Sequence, residues 1–310
     1  MVELRALGAI DLRRDGTEVT AVLTQPKRLA LLLYLDIARP YGFHRRDRLL
    51  ALLWPELDDT HARDALSQAI QHIRRDIGES AIVTRGEEVM LDPVSVRSDV
   101  RVLHAAVSNT DHMRVVQLFQ GTLADGFFVE EAPEFERWLD DERQTIRDAV
   151  ATSAWALAHS AKDQGRIQDA TAFARSAVSL TRDDEPSIRR LMEFLESVGD
   201  RAGALRAYDE FSVWISGELD AVPSPDTNAL RDSIKNSETV HLSPAAPPSQ
   251  KSPAAPAAAV KSPSPQAPVA AVIPEVPSRP PKKERIHWAA VGVAVVAVIL
   301  LLAAYAFRPR

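Results

Sequence analysis

No cysteine occurs anywhere in the 310 residues. That excludes disulfides, thiol nucleophiles and zinc sites built on Cys, and it suits a reducing compartment. Signatures of chemistry are missing as well. The chain has no G-x-x-x-x-G-K-[ST], no G-x-S-x-G and no H-E-x-x-H. Its eight histidines include no i,i+4 pair that could hold a metal from one helix face. The acidic triplets at 140–142 and 183–185 read as solvated helix surface and a helix start, with Asp184 before Pro186 as a cap. Neither enzymatic activity nor a cofactor or metal is expected.

A basic excess is also lacking. The net charge is −6, divided as −2 over residues 1–93, −10 over 94–242 and +6 over 243–310. Any contact with nucleic acid must therefore rest on where the cations sit, not on total charge. The opening stretch "MVELRALGAIDLRRDG" has acids and arginines where a secretory leader needs an apolar core. The bulk of the chain is expected on the cytoplasmic side.

What the chain does have is an oily end. The twenty residues from Trp288 to Phe307 carry no charge, and Ile286 extends the run. As a helix this is about 30 Å, one bilayer hydrocarbon core. Trp288 and Tyr305 sit near the ends, where amphipathic rings favour the interface. Lys282, Lys283 and Arg285 precede the run, and Arg308 and Arg310 follow it. A single span from Ile286 to Phe307 is expected in the cell inner membrane, contacting lipid, with the N-terminus cytoplasmic and 308–310 as a short tail. Residues 243–285 hold twelve prolines, which fix φ and remove donors. They read as a disordered tether with an upper reach of about 130 Å.

The first 93 residues read as short strands, three helices and a hairpin. "ELRALG" (3–8) and "TEVTAVL" (17–23) alternate like strands, with "RRDG" as a turn between them. "PKRLALLLYLDIARP" is a helix with Pro26 in its first turn. "RRDRLLALLWPE" is a second, stopped by Pro55. The third runs from candidate caps Asp58 and Asp59 to Gly78, and "SAIVTRGEEVMLDP" is a hairpin with Arg85 and Gly86 near its tip. On a 100° wheel, Ala62, Leu66, Ala69, Ile70, Ile73 and Ile77 share one side of the third helix. Asp64, Gln68, Gln71 and Arg75 lie opposite, flanked by Ser67 and His72, with Arg63 and Arg74 at the edges. Such a face suits base edges and phosphates, and an ordinary solvated face fits it equally. The element order is that of a winged helix-turn-helix.

Residues 94–242 are long amphipathic stretches. Gly165 and Gly199 are 34 residues apart, as are Ala170 and Ala204, each pair lying in a link between two helical runs. A 34-residue helix–turn–helix period is the tetratricopeptide signature. Two such units are too few to stand alone, so the helices of 98–147 must complete the stack. The acidic surface favours a protein partner or self-association over DNA. The fold class is thus mainly α: a winged helix-turn-helix, an all-α tetratricopeptide-like domain, the linker and the membrane helix.

The pieces "PKRLALLLYL", "RLLALLWPELD", "ARDALSQAIQHIRRDIG", "GTLADGFFVEEAPEFERWLDDERQTIR" and "GELDAVPSPDTNAL" resemble, in order, the SARP type of bacterial regulator. Those proteins join an OmpR-like winged helix to a bacterial transcriptional activator domain. The resemblance implies double-stranded DNA as partner, with a homodimer on DNA and contact to RNA polymerase. It implies a recognition helix presenting Arg63, Asp64, Ser67, Gln68, Gln71, His72, Arg74 and Arg75. The wing and phosphate contacts it implies are Thr84, Arg85, Lys27, Arg28, Arg45 and Arg46. Departures stand at Asp64, where Asn is common, at Ser67, where a larger or basic residue is common, and at His44, where a capping Ser is common. They favour a second expectation, a membrane-anchored adaptor whose winged helix has lost DNA binding.

Overall fold

The computed structural model describes residues 1–241. The linker over 243–285 and the span from Ile286 to Phe307 lie outside the described residues. Among the described residues no helix is long and apolar enough to cross a membrane.

Strand β1 (Val2–Arg5) runs antiparallel to β2 (Asp11–Arg14), which turns into β3 (Thr17–Glu18). Asp15 and Gly16 make that turn, both at positive φ (51° and 84°). A two-residue Asp-Gly loop with that geometry follows the right-handed twist of the strands it joins. The strand expected over 17–23 stops after two residues. Thr20–Leu23 forms one helical turn, α1, which buries Val22 completely.

Helix α2 (Pro26–Ile37) is buried along its whole second half, with Pro26 in its first turn. Next come β4 (His44–Arg45), α3 (Arg46–Leu53) and α4 (Asp59–Ile77). The N-cap of α3 is Arg45 rather than His44, and it makes no side-chain cap hydrogen bond. Asp58 caps α4, its carboxylate accepting from the Thr60 and His61 amides at 3.0 and 3.1 Å. The hairpin β5 (Ile82–Arg85) and β6 (Glu88–Leu91) follows, and β4 pairs with β6 to complete a three-stranded sheet.

Strand pairing crosses the boundary expected after residue 93. Strand β7 (Val96–Ser98) returns to pair in parallel with β1, giving the sheet order β3-β2-β1-β7. The next helix, α5 (Asp99–Ser108), begins on that strand, and Asp99 accepts hydrogen bonds from the Ala6 and Leu7 amides. Among the described residues every strand precedes residue 99; after it come α6 (His112–Leu118), α7 (Pro133–Asp163), α8 (Ile167–Ser179), α9 (Glu185–Ser197), α10 (Arg201–Leu219) and α11 (Pro225–His241). One apolar core takes in residues from Val2 to Val150, and a second runs from Ala154 to Ile234. The division falls inside α7, a 31-residue helix about 46 Å long. Its Phe135, Leu139, Ile146 and Val150 belong to the first core, and Ala154, Trp155, Ala158 and Ala161 to the second.

The 34-residue period holds in the second core. Gly165 and Gly199 both take positive φ, 74° and 82°. Their amides donate to Lys162 O and Glu196 O, each at 2.9 Å, and the next amides donate to Ala161 O and Leu195 O at 2.8 and 2.9 Å. The same glycine-dependent helix exit is therefore built twice, because an L side chain is strained at that φ. Ala154, Ala158 and Ala161 are matched 34 residues on by Ile188, Met192 and Leu195, all buried. Small residues in one repeat are replaced by larger ones at the equivalent positions of the next, and all six lie in the same core.

Candidate nucleic-acid interface

Helix α4 buries its apolar stripe and leaves a polar face. Ala62, Leu66, Ala69, Ile70, Ile73 and Ile77 are all buried, as the wheel requires. Asp64, Gln68, Gln71 and Arg75 are exposed. Gln68 borders a cleft of about 420 Å³ that Gln25, Lys27, Arg28, Trp54 and Glu131 also line. The structure thus brings Gln68, Lys27 and Arg28 to one place.

The flanking residues divide by what already holds them. Arg74 is a brace: its Nε and Nη2 donate to Ile82 O at 3.0 and 2.8 Å, and Nη2 reaches Thr84 Oγ1 at 3.2 Å. It fastens β5 to α4, so both Arg74 and Thr84 are partly spent on each other. Ser67 Oγ donates back to Arg63 O at 2.8 Å, one turn earlier in the helix. His72 is half-buried, and its buried Nδ1 has no hydrogen-bond partner.

Most of the cations are compensated within the protein. Arg63 bridges Asp47 and Glu87, at 3.0 Å to each, and so ties α4 to α3 and to the hairpin tip. Arg45 shares Asp47 at 3.4 Å. Arg85 pairs with Glu88 at 2.7 Å and lies over the Phe43 ring, 4.1 Å from its centre. Lys27 contacts Glu56 and, at 3.2 Å, Glu131. Arg75 pairs with its neighbour Asp76 at 3.2 Å and stays mostly exposed. Arg28 and Arg46 have no carboxylate partner among the described residues. These exposed pairs are weak, each about 0–1 kcal/mol, so a phosphate can exchange for the carboxylate. Until it does, they remove the positive field a phosphate would feel from a distance.

Asp47, Glu87 and Phe43 belong to this surface and carried no signal in the sequence. They lie 16 and more residues from the α4 or hairpin residues they touch or pair with, except across the short hairpin turn. Only the folding of α3 and the hairpin against α4 joins them.

Behind the interface stands a buried polar lock. Asp36, fully buried near the end of α2, accepts from Ser98 Oγ and from Arg101 Nε at 2.8 Å. Arg101 also donates to Asp36 O at 3.0 Å and to Leu35 O at 3.1 Å. Burial pushes the Asp36 carboxyl up to about 6 despite the help of Ser98 and Arg101. Nearby, Tyr41 Oη contacts His104 Nδ1, and burial holds the His104 imidazole down to about 4.

Residues 91–235 match the bacterial transcriptional activator domain family. No curated protein matches the chain. A solved structure of EmbR from Mycobacterium tuberculosis, in complex with a low-affinity phosphopeptide, has a similar fold. Its TM-score is 0.53 at 18% identity, and the match covers 76% of this chain and 65% of that one. The chain therefore spans just under two thirds of that relative's length. The likeness supports the architecture described here: a part containing all the strands, then an all-helical part.

Proposed function

We propose that the protein is a SARP-type transcriptional regulator that binds double-stranded DNA through α4 and the β5–β6 hairpin. The observation that carries this reading is the division of α4. Its apolar stripe is wholly buried, and the face left outside offers amides and a guanidinium beside a hairpin that Arg74 holds in place. Gln71 and Gln68 have the donor and acceptor pair that adenine presents a partner for, and Arg75 has the fork that fits guanine. Arg28 and Arg46 supply backbone contacts, and Arg45, Arg63 and Arg85 join them once phosphate replaces their carboxylates. The family match over 91–235 supports a regulatory helical domain, which pairs two copies on DNA or contacts RNA polymerase. The proline-rich tether and the apolar run ending at Phe307 hold the whole at the cytoplasmic face of the inner membrane. An electrophoretic shift of residues 1–242 on the promoter of its own gene tests the reading. A salt-dependent, sequence-selective complex is expected, and none at low salt would reject it.

One observation favours a second reading, an anchored adaptor without DNA binding. Arg63 is already held by two carboxylates, and Asp64 stands uncompensated beside it on the outer face. In that case the same experiment gives no complex, while a protein partner is captured by the helical domain.

A further inference from the structure

A cavity of about 280 Å³ opens at the β1–β7 side of the first sheet. None of its lining residues comes from α4 or the β5–β6 hairpin, so it is separate from the DNA-reading surface. Leu4, Val102 and Leu118 give it apolar wall, and the exposed Arg5, Arg97 and Arg114 line it from β1, β7 and α6. Arg97 and Arg114 have no carboxylate partner among the described residues. Arg5 meets Glu3 only at 3.4 Å, with both side chains largely exposed. The other acid of the lining, Asp99, is occupied by the main chain, accepting from the Ala6 and Leu7 amides at 2.9 to 3.1 Å. At the α4 surface Lys27, Arg45, Arg63, Arg75 and Arg85 are each matched by an acid. Here, where the acidic second part of the chain begins, two arginines converge on one hollow and are left unmatched.

We propose that this cavity binds a small phosphorylated molecule. A guanidinium presents two parallel N–H donors at the spacing of two phosphate oxygens, and a dianion satisfies more than one such fork at once. The volume lies just below the roughly 300 Å³ at which drug-sized sites begin, so it admits a phosphate with a few carbons and excludes a dinucleotide. The apolar wall fits those carbons. Because Arg5 and Arg97 stand on the sheet and Arg114 on α6, an occupant ties the sheet to the first helices of the activator domain. The site is a route by which a small metabolite reaches the regulator.

Thermal melting of the full chain in detergent tests this, with inorganic phosphate, pyrophosphate and 3-phosphoglycerate as probes and chloride at matched ionic strength as control. At a hundredfold excess over Kd, a bound probe raises Tm by about 5 °C. The Arg97→Gln/Arg114→Gln variant keeps its own Tm in chloride and loses the shift. The Arg13→Gln variant, on the same sheet but outside the cavity, retains it. Broadening of the probe's phosphorus resonance by the wild type and not by the double variant gives a second readout independent of stability. No shift with any of the three probes, or an equal shift in the double variant, overturns the proposal. So does a shift dependent on Arg97 and Arg114 that only a phosphoserine peptide or a DNA duplex produces.

Discussion

Arg101 Nε lies 2.8 Å from Asp36 Oδ1, so the first turn of α5 is bonded to the buried end of α2. The pair joins α2, which lies behind the polar face of α4, to α5, the first helix after the strands. It also makes stability depend on acid in a defined direction. Asp36 takes up its proton at about 6 in the folded chain, against 3.8 unfolded. The folded state therefore binds that proton more tightly, and stability from this group falls as pH rises from about 4 to about 6. His104, held near 4 by burial, contributes the opposite slope over much of the same window. Asp36→Asn isolates the first effect. Urea denaturation should show the stability difference between variant and wild type growing in the variant's favour by up to about 3 kcal/mol from pH 4 to 6.5. Parallel curves for the two proteins would contradict it.

On the outer face of α4, Gln71→Ala and Arg75→Ala should each weaken specific binding by about 1–3 kcal/mol and relax the preference at one base pair. Arg74→Ala should act differently, since Arg74 anchors the hairpin through Ile82 O. Its loss should lower affinity for all sequences alike and destabilise the fold by about 1–3 kcal/mol. Competition titrations over single-base operator variants separate the two patterns. Base selectivity lost in Arg74→Ala and untouched in the other two would reverse the assignment.

Asp64→Asn removes a charge from the groove face. Non-specific affinity should rise, with the salt slope unchanged or steeper. Fluorescence anisotropy on random-sequence duplex between 50 and 200 mM salt measures both. A sharp loss of operator binding instead would mean that Asp64 accepts from a cytosine amine.

The tether gives a fourth expectation. The full chain should sediment with membranes and resist carbonate extraction, and a chain ending at Leu242 should be soluble. The basic residues before the apolar run contribute only about 1 kcal/mol each at an anionic surface, too little to anchor it. Recovery of the full chain in the carbonate supernatant would remove the membrane from the account.

Local signals carried far into this fold. The α4 stripe, its Asp58 cap and the hairpin tip were readable because each depends on residues close in sequence, and the glycine pair because it recurs at a fixed 34-residue period. The return of β7 to β1 was not readable, since Val96 and Val2 meet across 94 positions with no periodicity to mark it. The wheel separated the exposed face of α4 from its buried stripe, but not the condition of the residues on it. Arg74 reads from sequence as an edge residue of the recognition helix, and its bond to Ile82 O depends on where the hairpin folds. The pairing of Arg63 with Asp47 and Glu87 likewise follows from three elements meeting, which no wheel displays.

The strand β7 and the two-core helix α7 bear on how such a protein can be cut and rejoined. A fragment ending at Pro93 would lack the strand that covers β1 and the helices that close over Leu4 and Leu12. It would present a raw sheet edge and a half-built interior, a combination prone to sticking to its own kind. The two parts of the chain are thus not interchangeable cartridges. A chimera that exchanges the first part of this protein should be spliced within α7, after Val150 and before Ala154, where one interior ends and the next begins.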